Sequence, residues 1–189
     1  MIYVGLDMSI TSPGLTVIDG DKIEYHFRYD FPKRKKITLP DNFFPYPTCE
    51  SKDDMTRYVD NADWIMSVIG DREAVVCIEG YAMAAQGRVF NIAENCAVTK
   101  YRLFQKGIKT IIASPATIKK FATGNGTAQK GLMLYHFEHK TGLDLYKFFD
   151  RGTAVSPLTD IADSYFMARY AESDPSKPVK KVKKRVLKK

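Results

Sequence analysis

Three strand-like runs stand ahead of the first helical pattern in this chain, and their order narrows the fold more than composition does. Ile2 to Asp7 carries β-formers or bulky apolar residues at nearly every position, as in a strand buried on both faces. Gly14 to Asp19 and Lys22 to Phe27 flank a Gly20–Asp21 turn, which joins them as an antiparallel hairpin or meander. Arg28 to Ser51 holds Pro32, Pro40, Pro45 and Pro47, so a long irregular loop or insertion is expected there rather than a strand pair.

At Asp53 the periodicity changes. Met55, Tyr58, Val59, Ala62, Ile65, Met66 and Ile69 recur at helical spacing up to Gly70. Ala74 to Glu79 is a short apolar strand with an acid at its end. A second helix is predicted from about Arg88 to Gln105, closed by Gly107, and Ile108 to Ala113 reads as another buried strand. Ser114 caps a short helix over Pro115 to Phe121, and Thr127 is expected to cap a helix through about His139. The last helix starts near Thr159 or Asp160 and ends near Ala171. These elements predict an α/β fold with a five-stranded mixed sheet, three antiparallel strands then two parallel, and helices on both faces.

The chain has 189 residues and a net charge of +7, and the charge divides it in two. From Ser173 onward, interrupted by Pro175 and Pro178, lie Lys177, Lys180, Lys181, Lys183, Lys184, Arg185, Lys188 and Lys189. With Asp174 as the only acid from 173 onward, this segment accounts for the whole excess and leaves residues 1–172 balanced. The expected organisation is one domain over 1–172, with a Pro- and aromatic-rich insertion at 28–52, and a flexible basic tail over 173–189. Such a tail suits a polyanion; a solubilising role, a nuclear-type address or a membrane-surface patch would draw on the same residues. Lys33 to Lys36 form a second basic cluster. No apolar run approaches the ~20 residues of a membrane span. Cys49, Cys77 and Cys96 are too widely spaced for a metal knuckle or disulfide framework, so an intracellular, cytoplasmic location without membrane partners is expected.

Four acids can meet in such a fold. Asp7 and Glu79 end two strands that would be parallel neighbours, and the carboxyl ends of such strands are the usual place of an α/β site. Asp160 and Asp163 open the last helix three residues apart, about 60° from one another around its axis. Clustered carboxylates raise one another's pKa unless a cation neutralises them. All-oxygen ligands suit Mg²⁺ or Mn²⁺ rather than zinc, and two such ions roughly 4 Å apart can drive phosphodiester hydrolysis. Each acid alone has a plainer account: the two on the helix would answer its dipole, and Glu79 could be a surface acid.

Together with their contexts, GLDMSITSPGLTVID at 5–19, VVCIEGYAM at 75–83, IASPATIKKFATGNGTAQK at 112–130 and DIADSYFMARYA at 160–171 resemble the RuvC family of Holliday-junction resolvases. That family belongs to the ribonuclease-H-like superfamily, and the smaller viral, bacteriophage-type members are the nearest in character. The resemblance implies a ribonuclease-H-like fold and a homodimeric crossover junction endodeoxyribonuclease. Such an enzyme nicks branched DNA, four-way or three-way, with two Mg²⁺ ions per site, for which Mn²⁺ substitutes. The family's catalytic acids carry over to Asp7, Glu79, Asp160 and Asp163, with Asp7 bridging the ions.

Lys119, Lys120 and Lys130 flank Gly124-Asn125-Gly126 and the start of the next helix, where glycines and a helix N-terminus admit a phosphate. An ordinary helix–helix turn with solvated lysines would look the same locally. The resemblance gives these lysines a DNA-contacting role and Lys130 a catalytic one. It also suggests an aromatic wedge after the catalytic glutamate, for which Tyr81 is the nearest residue. Lys180, Lys181, Lys183, Lys184 and Arg185 complete the expected DNA contacts.

Rival readings are a nuclease for forks or RNA–DNA hybrids, a catalytically silent DNA-binding homologue, and an actin-like ATPase. That last reading, a sugar-kinase or actin-like fold, requires a second glycine-rich phosphate loop in the C-terminal half, which this sequence does not show. His136 and His139 have no third ligand nearby in sequence, and Cys77 and Cys96 fall where inert core thiols sit.

Overall fold

The computed structural model describes residues 1–32, 37–80 and 89–173. Its elements run β1 (Ile2–Asp7), β2 (Gly14–Asp19), β3 (Lys22–Arg28), β4 (Phe43–Tyr46), α1 (Asp54–Ile69), β5 (Ala74–Glu79), α2 (Val89–Gln105), β6 (Lys109–Ala113), α3 (Pro115–Thr123), α4 (Lys130–Thr141), α5 (Leu145–Phe149) and α6 (Leu158–Glu172). The strands form one mixed sheet in the order β4-β3-β2-β1-β5-β6. Strands β1, β2 and β3 pair antiparallel, whereas β1–β5 and β5–β6 are parallel.

The sheet therefore has six strands, one more than predicted. The extra strand, β4, lies within the expected loop and pairs parallel to β3, with Tyr25 opposite Phe43 and Phe27 opposite Pro45. Pro45 is tolerated because β4 is an edge strand, where a missing N–H breaks no ladder. Aromatic packing holds it there: Tyr25 meets Phe43 at 4.6 Å between ring centroids, and His26 stacks on Phe44 at 4.7 Å.

Three smaller corrections concern the other half. Strand β6 is an edge strand with Ile112 exposed, not a buried one, because no further strand or helix covers its flank among the described residues. Thr127 does not cap α4: its N–H and hydroxyl both donate to Asn125 Oδ1, and the helix begins only at Lys130. The short helix α5 was not expected; Asp144 caps it by accepting from the Lys147 N–H.

Side-chain alternation divides the strands between two helical layers. Ile2, Val4 and Leu6 of β1 and Ala74, Val76 and Ile78 of β5 pack with α1 and α2. Val75 and Cys77 turn the other way, into a core built with α3 to α6. Asp7 and Glu79 share the parity of this second set, so both point to the α6 side at the sheet's carboxyl end.

Helix α6 lies against the strands with almost no intervening side chain. A Cβ at Gly5 would come within 2.0 Å of the Ser164 carbonyl oxygen and 2.4 Å of the Ala168 nitrogen, and one at Gly14 within 2.5 Å of the Asp160 carbonyl oxygen. Thr16 and Ser164 then join their buried hydroxyls at 2.9 Å across the same contact. Eleven of the helix's fifteen residues are buried, so it is an internal rod rather than a surface amphipath.

Candidate active site

Asp7 is the last residue of β1, Glu79 of β5, and Gly14 lies directly across from Asp7 in the β1–β2 ladder. Because α6 presses its first turn onto Gly14, Asp160 and Asp163 arrive beside those two strand ends. Glycine at 5 and 14 is thus what brings the acids of a distant helix to the acids of the sheet.

The electrostatics record the meeting. Burial raises the Asp7 carboxyl well above its ordinary range, and the charges of Asp160, Asp163 and Glu79 raise it further. Asp163 is pushed up to about 7 by burial and by Glu79 and Asp160. Burial also raises Glu79 and Asp160. Lys130 opposes the rise at all four acids, and Lys119 does so at Glu79 and Asp163. The site thus holds more negative charge than its lysines neutralise.

Asp160 differs from the other three in its partners. Ser156 Oγ donates to its Oδ2, Thr159 Oγ1 approaches Oδ1 at 3.2 Å, and Ser12 lies close enough to stabilise the charged form. Among the described residues, no side chain donates a hydrogen bond to Asp7, Glu79 or Asp163. Two buried amides fix the loop that follows Asp7: Asn95 Nδ2 donates to the Met8 carbonyl at 3.3 Å and Asn61 Nδ2 to the Ile10 carbonyl at 3.0 Å.

The chemistry of the donor set fits a hard divalent cation: four carboxylates, all oxygen, with raised proton affinity that a cation would relieve. Among the described residues, no three acidic, histidine or cysteine side chains already enclose a single ion.

Of the residues singled out in the sequence, Asp7, Glu79, Asp160, Asp163, Lys119 and Lys130 come together. Lys120 is exposed on α3. Tyr81, Lys33 to Lys36 and the basic residues from Lys177 onward lie outside the described residues. Sequence reasoning missed Ser12, Ser156, Asn61, Asn95 and the paired glycines. Only the small residues around Asp7 and the Ser156–Pro157 step before Asp160 hinted at them. His136 and His139 lie at the surface of α4, and burial pushes the Cys77 and Cys96 thiols up to about 12 and 11, as inert core thiols require.

Among solved structures, the chain is similar to Thermus thermophilus RuvC, at 16% identity and a TM-score of 0.55 over 89% of this chain and 91% of that one. It is also similar to T. thermophilus RuvC in complex with Holliday junction substrate, at 18% identity and a TM-score of 0.58, covering 89% and 90%. At these identities the likeness shows a RuvC-like fold. No protein-family profile matches the sequence, and no curated protein matches it.

Proposed function

We propose that this chain is a metal-dependent endonuclease that nicks Holliday junctions and related branched DNA, of the smaller viral type within the RuvC family. The observation that carries the reading is the four-acid cluster at the carboxyl ends of β1 and β5, under-neutralised by protein cations and flanked by Lys130 at a helix start. The fold neighbour solved with a Holliday junction substrate supports the choice of branched DNA.

In this reading Asp7, Glu79, Asp160 and Asp163 hold two Mg²⁺ ions, with Mn²⁺ able to replace them. Bound there, the ions supply a water of lowered pKa and stabilise the leaving oxygen in phosphodiester hydrolysis. The chain's own residues do the positioning. Lys130, the first residue of α4, and Lys119 on α3 neutralise and orient the scissile phosphate beside the acids. Lys120 and the basic run from Lys180 to Arg185 neutralise phosphates further along the duplex, and Tyr81 is the proposed wedge at the branch. Residues 1–172 form the nuclease domain and 173–189 the basic tail of an intracellular protein. No helix among the described residues is long and apolar enough to cross a membrane.

The homodimer expected of such an enzyme is proposed to form on α2 and β6. There Phe90, Tyr101, Phe104 and Ile112 are exposed, and a groove of about 340 Å³ is lined by Lys100, Phe104, Ile108, Thr110 and Ile112.

The test is cleavage of labelled four-way, flap, fork, hybrid and linear substrates in Mg²⁺. Asp7→Asn should lose cleavage by roughly a thousandfold or more while still binding junctions, because an amide is a poor Mg²⁺ ligand. Near-wild-type turnover by Asp7→Asn or Glu79→Gln would refute the site. Cleavage that favours a fork or a hybrid would keep the chemistry and replace the substrate.

A further inference from the structure

We infer that Ser12 and Ser156 are positioning residues whose hydroxyls set the orientation of the Asp160 carboxylate before any cation arrives. The inference rests on the reading of Asp160 as a cation ligand.

Two serine hydroxyls converge on the Asp160 carboxylate. Ser156 Oγ lies 2.8 Å from Ser12 Oγ and also contacts Asp160 Oδ2. A hydroxyl has one proton to donate, and an ionised carboxylate can only accept. The Asp160 carboxylate therefore accepts, both from Ser156 and from the nearby Ser12, whose hydroxyl oxygens are themselves in contact. Thr159 engages the other oxygen, so both oxygens of the carboxylate are restrained.

The chain of hydroxyls is itself anchored. The Ser12 N–H donates to Ser9 Oγ at 3.3 Å, and Asn61 and Asn95 hold the backbone of the same loop from the opposite helical layer. That loop begins directly after Asp7. One rigid connection therefore runs from the end of β1 to the first turn of α6, and the relative placement of Asp7 and Asp160 passes through Ser12 and Ser156. Asp7, Glu79 and Asp163 have no such donors among the described residues. They gain a fixed direction only when the cation binds, whereas Asp160 has it beforehand. Removing a partner that orients a ligand typically costs 10- to 100-fold in metal affinity.

The test uses the full-length protein at fixed pH without DNA. Mn²⁺ affinity is read from the electron paramagnetic resonance signal of the free ion, beside the Mg²⁺ dependence of cleavage. Ser156→Ala and Ser12→Ala should each weaken Mn²⁺ binding about tenfold or more. They should raise the Mg²⁺ needed for half-maximal cleavage, with the rate at saturating Mg²⁺ recovering to within a few-fold. Ser156→Thr, which keeps the hydroxyl, should bind Mn²⁺ as wild type does. Thermal melting identifies a variant that fails to fold, in which case the other serine variant decides. Wild-type Mn²⁺ affinity in folded Ser156→Ala or Ser12→Ala, with Asp160→Asn impaired, overturns this inference alone. Wild-type affinity in Asp160→Asn as well overturns the assignment of the ligand on which it stands.

Discussion

Helices α6 and α2 are of similar length and each packs on the central sheet, yet they spend their surfaces in opposite ways. Helix α6 turns inward on every side: strands lie beneath it, α3, α4 and α5 surround it, and its apolar residues include Ile161, Tyr165, Phe166 and Met167, all buried. Helix α2 buries one stripe, with Asn95, Cys96, Thr99 and Leu103, and leaves Phe90 81% and Phe104 80% exposed on the other. A helix enclosed on all sides cannot shift without disturbing the core, and that is where catalytic groups need to stand. Aromatic side chains left in water mark instead a surface that awaits a partner. On the proposed function, precision would belong to α6 and association to α2, on opposite faces of one sheet.

The contrast can be broken most severely at Gly5. Gly5→Ala sets a methyl carbon about 2.0 Å from the Ser164 carbonyl, so α6 must lift. A loss of roughly 3–5 kcal/mol is expected from such overpacking, read as the shift in urea midpoint. A change below about 1 kcal/mol would show that α6 is not held by contact with the strand.

A second test uses charge. The Asp163 carboxyl is pushed up to about 7 from an ordinary 3.8, so the folded protein keeps a proton that the unfolded chain releases between those values. Stability is then fully present near pH 4 and declines as pH rises toward 7. Melting in a chelator should therefore be higher at pH 5 than at pH 7.5. Asp163→Asn should flatten that dependence and stabilise the cation-free protein at pH 7.5 by about 1–2 kcal/mol, the buried charge having been removed. Mg²⁺ should raise the melting temperature of the wild type but much less that of Asp163→Asn. An equal rise in both would separate Asp163 from the cations.

Thr16→Val isolates the polar part of the α6 contact. Ser164 keeps its own bond to the Ile161 carbonyl but loses the Thr16 hydroxyl, a cost of about 1 kcal/mol. Smallest in stability is Phe104→Ser, expected within about 0.5 kcal/mol because the ring is in solvent. On the proposed interface, the same variant should shift the sedimentation profile from dimer to monomer. An unchanged dimer would move the interface elsewhere.

The halves of the molecule were not equally legible. Strands β1, β2 and β5 and helix α1 announce themselves through continuous apolar runs or an unbroken helical period bounded by Asp53 and Gly70. The four acids were legible because each closes or opens such an element. Strand β4 was not, since four residues including Pro45 among scattered prolines give no alternation, and only the aromatic contacts with β3 reveal it. Strand β6 misled for the opposite reason: Ile111 and Ile112 read as core, while the sheet simply ends there. Ser12 and Ser156 were barely legible, because a serine in a loop declares no partner until the fold shows its neighbours, 144 residues apart in sequence. Contacts formed only by closure of the fold leave little trace in local pattern.

The two margins of the sheet also differ in what they allow to accumulate. At β4 the flank is four residues long, interrupted by proline, and offers little for another chain to extend. At β6 no strand or helix among the described residues covers the flank, and bared aromatic rings lie beside it. A particle with one adhesive margin and one blunt margin can satisfy itself by pairing face to face about a twofold axis, after which nothing remains to propagate. The proline that hides β4 from a reader of the sequence thus also acts as a stop, so a dimer built as proposed on α2 and β6 would close on itself rather than grow into an open filament.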